Sequence, residues 1–121
     1  MKTFLPACAV LVLSSGIALA ECRTGAFNFD FGQTQSVEAT TSATQGECLL
    51  GFRGGRSTTY ESITPLKNPA NGSFVAHSSG LGYIYTPKVG FKGTDSATLK
   101  VCGTGGSGKG CVNVRYTITV Q

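Results

Sequence analysis

Gly82-Tyr83-Ile84-Tyr85-Thr86-Pro87-Lys88-Val89-Gly90-Phe91-Lys92-Gly93-Thr94-Asp95-Ser96 is a strand, a turn and the opening of a second strand, in that order. Tyr83 and Tyr85 alternate with Ile84, as they would on a pleated surface. Thr86-Pro87 ends that run, because proline removes a ladder donor. Gly90 and Gly93 bracket a turn, since glycine adopts backbone angles closed to other residues. The alternation then resumes at 97–102, with Ala97, Leu99 and Val101 on one face and Thr98, Lys100 and Cys102 on the other.

The last strand, 111–120, alternates even more cleanly. Val112, Val114, Tyr116, Ile118 and Val120 form one face, and Cys111, Asn113, Arg115, Thr117 and Thr119 the other. Upstream, Phe27, Phe29 and Phe31 alternate with polar residues, which predicts a half-buried strand over 26–31. The Thr/Ser/Gln-rich stretch 32–46 predicts one weak edge strand around Val37. A short apolar strand is expected over 48–52 and a β-prone run over 58–63, after which Pro65 and Asn68-Pro69-Ala70-Asn71-Gly72 turn the chain. A further strand over 73–77 places Phe74 and Ala76 on one face and His77 on the other. About seven short strands without helical periodicity predict an all-β, antiparallel sandwich.

The quoted stretch resembles the closing half of bacterial immunoglobulin-like and cadherin-like repeat modules, which carry a Tyr-Thr-Pro, Gly-Phe-x-Gly-Thr-Asp-Ser pattern and a final hairpin. The resemblance covers 63–120, and Asn68-Pro69-Ala70-Asn71-Gly72-Ser73-Phe74 is similar to the modules' Pro-x-x-Gly element. It implies an immunoglobulin-like sandwich in which Asp95 hydrogen-bonds turn amides. The chain is expected to hold a single unit where such modules occur in tandem, and it departs from the pattern in its cysteines and in lacking an Asn-Asp signature, so calcium binding at module junctions does not carry over.

Lys2, the apolar run 4–13 and Ala18-Leu19-Ala20 have the form of a secretory signal with its small-x-small cleavage site. The apolar run is too short to span a bilayer. The expectation is a signal peptide over 1–20, a mature domain over 21–121, no permanent membrane anchor, and a periplasmic or secreted location. Cys8 and Cys22 each end a near-match to a lipoprotein box; the first falls too early and the second has Glu21 where a small residue is needed.

Four cysteines lie beyond the signal: Cys22, Cys48, Cys102 and Cys111. In an exported small domain an even count predicts two disulfides. Strand parity puts Cys102 and Cys111 on the outer side of neighbouring strands, which favours 102–111 and leaves 22–48. The rival is a Cys48 to Cys102 pin through the core, which requires Cys102 to point inward.

Functional motifs are sparse. Gly103-Thr104-Gly105-Gly106-Ser107-Gly108-Lys109-Gly110 matches two phosphate-loop patterns, but a strand follows where both need a helix. The reading adopted is a flexible hairpin loop clamped by a disulfide. His77 is the only histidine, no Gly-x-Ser-x-Gly surrounds a serine, and Glu38, Glu47, Glu61, Asp30 and Asp95 show no paired spacing. One histidine and no Cys-x-x-Cys pair argue against a metal. The formal charge of +4 is mild and scattered, which argues against nucleic acid. Asn71-Gly72-Ser73 fits an N-glycosylation acceptor by chance composition.

The expected function is an exported, non-enzymatic binding or structural module without cofactor or metal, its partner a protein or an anionic envelope polysaccharide. The alternative is a small secreted inhibitor presenting the clamped 102–111 loop to a target. Partner contact is expected at Thr104, Ser107 and Lys109 of the loop and at Lys100 and Arg115 beside it.

Overall fold

A computed structural model describes residues 21–51, 58–80 and 82–121. Eight strands lie among them: β1 (Cys22–Thr24), β2 (Ser36–Ala43), β3 (Cys48–Gly51), β4 (Thr59–Lys67), β5 (Gly72–Ala76), β6 (Gly82–Pro87), β7 (Gly93–Gly105) and β8 (Gly108–Val120). They form a five-stranded sheet ordered β1-β2-β8-β7-β4 and a three-stranded sheet ordered β3-β6-β5. The all-β, two-sheet fold with two disulfides is therefore as expected.

The long β7–β8 hairpin is the spine. Its inward residues Ala97, Leu99, Val101, Val112, Val114, Tyr116 and Ile118 are all buried, as the alternation predicts. They meet Leu50 and Tyr85 from the smaller sheet in one core. Cys22–Cys48 then ties β1 of the large sheet to β3 of the small one. Cys102–Cys111 spans two residues directly opposite in the ladder, with Cα atoms 4.0 Å apart. The Cys48–Cys102 alternative is thus excluded.

Four expectations are corrected. Residues 26–31, expected as a strand, join no ladder. Their rings instead form an aromatic row, with centroids 6.2 Å apart for Phe27–Phe29 and 5.2 Å for Phe29–Phe31. Phe27 meets Tyr116 edge-on and Phe31 meets Tyr60, so the row lies against the inner side of the large sheet. Period two here reflects burial without a ladder.

Second, the weak edge strand around Val37 is β2, an interior strand of eight residues that runs parallel to β8, so the sandwich is not wholly antiparallel. Its inward residues Ala39, Thr41 and Ala43 are small, so hydrophobicity understates their burial. Third, Pro65 does not turn the chain: it lies within β4, which among the described residues pairs only with β7, and an edge strand tolerates the missing donor. The expected strand 48–52 is described only to Gly51, since Phe52 lies outside the described residues.

Fourth, the glycine-rich stretch is no flexible loop. The β7–β8 ladder continues to Gly105↔Gly108, leaving only Gly106 and Ser107 as the turn. Continuing the strand parity makes Gly103 and Gly110 inward positions, and there Phe31 lies against them. A Cβ on Gly110 would fall on the Phe31 carbonyl, and one on Gly103 would strike the Thr59 carbonyl and sit 2.9 Å from the Phe31 ring. These glycines are a seat for another segment's backbone.

Candidate interaction surface

The polar groups that the fold gathers are spent on holding it together. Asp95, 5% exposed, accepts from the amides of Ala70 and Asn71 at 3.0 Å and of Ser96 at 2.9 Å, and from the Tyr85 hydroxyl at 2.9 Å. The bonds to turn amides are those implied by the resemblance; the Tyr85 bond was not foreseen. Burial, reinforced by Asp95, pushes the Tyr85 phenol well above its ordinary range. Tyr116 donates to the Gly51 carbonyl at 3.1 Å, and burial raises its phenol likewise. Each sheet thus contributes one tyrosine that bonds the other.

Asp30 plays a similar part at the hairpin tip. Its carboxylate accepts from the Ser107 hydroxyl and from the Gly32 amide at 3.1 Å, and those bonds hold its pKa below the usual carboxylate range. Gln45 clasps the Gly-Phe-x-Gly turn, donating to the Phe91 carbonyl at 3.0 Å and accepting from Gly90. His77 accepts the Ser79 amide at 3.0 Å within its own turn.

The residues expected to touch a partner separate into two kinds. Ser107 is committed to Asp30, and Thr104 lies in the ladder opposite Lys109. Lys109 reaches Glu61 of β4 at 3.8 Å, while Arg115 reaches Glu38 of β2 at 3.4 Å. The two acids come from flanking strands, so two of the three cations of the strip meet acids that the sequence could not place. Lys100 lies exposed opposite Asn113, with no ion pair among the described residues. Both ion pairs are solvent-exposed and contribute little to stability.

The surface missed by the sequence reading is the outer face of the small sheet. Leu49, Ile84 and Val75 are directly opposite one another across β3, β6 and β5. Leu49 is 46% exposed and Val75 58%. Three aliphatic side chains in one row across a solvent face are more than scattered exposure, because they are contiguous. The signal lay in the odd parity of Leu49 and Val75, which oppose the inward Leu50 and Phe74.

Beside this sheet, a cleft of about 230 Å³ opens between β4 and the β5–β6 pair, lined by Tyr60, Glu61, Ile63, Ala76 and Tyr83 among others. Among the described residues, no three His, Cys, Asp or Glu side chains group as a metal site, and no helix is long and apolar enough to cross a membrane. A comparison of the chain with protein-family models gave no match, and a comparison with curated proteins gave none either.

Proposed function

We propose that this chain is an exported, non-enzymatic binding or structural module of the bacterial envelope, of the immunoglobulin-like or cadherin-like kind, working in the periplasm or outside the cell. The observation that carries the reading is the aliphatic row Leu49–Ile84–Val75, exposed at Leu49 and Val75 and half-buried at Ile84, on a sheet whose other face gives Leu50 and Tyr85 to the core. Two disulfides fit an oxidising compartment. A disulfide-linked sandwich presenting a partly apolar sheet face suits association with a protein or with an envelope polymer.

The inhibitor reading draws on the hairpin tip, where Asp30 braces a turn of only two residues. A braced tip loses little freedom on association. The two readings place contact on different sheets, the small one and the β7–β8 hairpin of the large one.

The test is capture from envelope extract by the oxidised chain, run beside two variants. One carries Leu49→Lys and Val75→Lys; the other replaces Gly106 and Ser107 with Asn-Gly. Loss of a captured partner with the first variant alone supports the sheet-face reading. Loss with the second alone transfers the function to the hairpin tip. Capture of no protein by the parent chain, with no retention on anionic polysaccharide, overturns the binding reading.

A further inference from the structure

We infer that β5 is a strand-acceptor edge and that its occupant is β5 of a second copy of this chain, paired antiparallel about a two-fold axis at Phe74.

The direction of each backbone group on β5 follows from two hydrogen bonds at its ends. His77 donates to the Gly82 carbonyl at 3.0 Å, and Lys88 donates to the Asn71 carbonyl at 2.9 Å. Both bonds lie in the register of the β5–β6 ladder, which pairs Ser73 with Thr86 and Val75 with Ile84. In an antiparallel ladder hydrogen-bonded and non-bonded pairs alternate. The Asn71 carbonyl, the His77 amide and both backbone groups of Ser73 and Val75 are therefore directed to β6. Those of Gly72, Phe74 and Ala76 point the other way, to the sheet's open side. Among the described residues no backbone bond beyond the β5–β6 ladder satisfies them.

The other outer strands are protected and β5 is not. On β4 the register shifts twice, and Pro65, Glu61 and Lys67 interrupt the edge. β1 has only three residues. β3 has only four residues and is tied to β1 by Cys22–Cys48. Irregularity, proline, charge and shortness are the devices by which sheets avoid edge pairing. Gly72-Ser73-Phe74-Val75-Ala76 has none of them: it is neutral, keeps an unbroken register and lacks proline.

A second copy is the occupant because the edge is self-complementary. With Phe74 opposite its own counterpart, Gly72 faces Ala76 twice, and all three outward amides and all three carbonyls on each strand find partners. No charged side chain of β5 opposes another. On the inner face the half-buried Phe74 ring, tilted against Tyr83 with centroids 4.8 Å apart, gains its twin. On the outer face two Leu49–Ile84–Val75 rows become parts of one six-stranded sheet. An isologous contact of this kind closes at two copies. Pairing of two five-residue edges falls short of the roughly 1,000 Å² expected of a stable interface, so the dimer forms reversibly with rising concentration.

The test is amide hydrogen exchange of the purified, disulfide-bonded protein at about 20 µM and about 1 mM, beside sedimentation equilibrium over the same range. The expected result is a dimer at the higher concentration, with exchange at Gly72, Phe74 and Ala76 slowed at least tenfold. Ser73 and Val75, already bonded to β6, are slow at both concentrations. Ala76→Pro deletes an outward donor and leaves the β5–β6 ladder intact, so it should weaken association at least tenfold with circular dichroism unchanged. Three results would each overturn the proposal: a monomer at every concentration, a dimer with Gly72, Phe74 and Ala76 still exchanging fast, or protection of these amides only after a foreign peptide is added.

Discussion

The hydroxyl of Tyr85, on the small sheet, donates to the carboxylate of Asp95, on the large sheet, at 2.9 Å. The same carboxylate holds the 69–71 turn through the amides of Ala70 and Asn71. One buried acid therefore fixes the spacing of the two sheets and the entry to β5. Its lone pairs are filled by four donors, which offsets the cost of burying a charge.

Removing that acid leaves buried donors without an acceptor. Asp95→Ala is expected to cost about 3–5 kcal/mol, and Tyr85→Phe about 1–2 kcal/mol. The double variant should cost clearly less than the sum, because both changes break the same bond. Urea denaturation of the four proteins measures the coupling. Strict additivity would show that the Tyr85–Asp95 bond contributes nothing of its own.

The glycines under Phe31 give a second, local prediction. Gly110→Ala must displace the Phe31 backbone and should cost about 2–4 kcal/mol, as overpacking against backbone does. Gly106→Ala, in open space at the turn, should change stability by less than about 0.5 kcal/mol. Thermal melts of the two variants decide it. Equal melting temperatures would mean that the stretch behaves as a loop, without a seat.

That contrast shows what was legible in the sequence. The β7–β8 hairpin could be read residue by residue, since large apolar side chains alternate along it without a break. The disulfide pairing followed from the same parity. The arm 103–110 could have been read by extending that parity, because Gly103 and Gly110 fall on inward positions, but glycine carries no hydrophobic signal. β2 was hidden for the same reason: Ala39, Thr41 and Ala43 are small because the interior beside them is filled from other strands. The ion partners of Lys109 and Arg115 lie about fifty and eighty residues away in sequence, and no local pattern places them. The row Leu49–Ile84–Val75 needs the register of three strands, which the chain discloses only once folded.

The two disulfides should differ in weight. Cys102–Cys111 closes nine residues across strands already paired, while Cys22–Cys48 closes 26 and joins the sheets. On loop-closure entropy alone the losses are about 2.5 and about 3.5 kcal/mol. Replacing Cys22 and Cys48 with Ala should further loosen β1 from β3, seen as faster amide exchange on β1. Replacing Cys102 and Cys111 should leave exchange on the paired parts of β7 and β8 slow. Equal exchange patterns for the two double variants would contradict the assignment of an inter-sheet role to Cys22–Cys48.

Stability should also fail on the alkaline side in a way these tyrosines determine. Burial raises the folded pKa of Tyr116 above the ordinary value of 10.0, and burial with Asp95 does the same for Tyr85. The neutral phenol is the form the fold accepts, so each contribution is complete below pH 10 and declines as pH rises beyond it toward the folded pKa. In that window the unfolded chain releases a proton that the native state retains, and unfolding becomes easier with each step in pH. Tyr116→Phe removes the proton and the bond to Gly51. It should cost about 1 kcal/mol at neutral pH, and its disadvantage should shrink steadily above pH 10. Denaturation midpoints from pH 7 to 11, with phenolate absorbance followed at the same points, measure both effects. Parallel stability curves for the parent and Tyr116→Phe would show that this phenol titrates without unfolding, contrary to its burial.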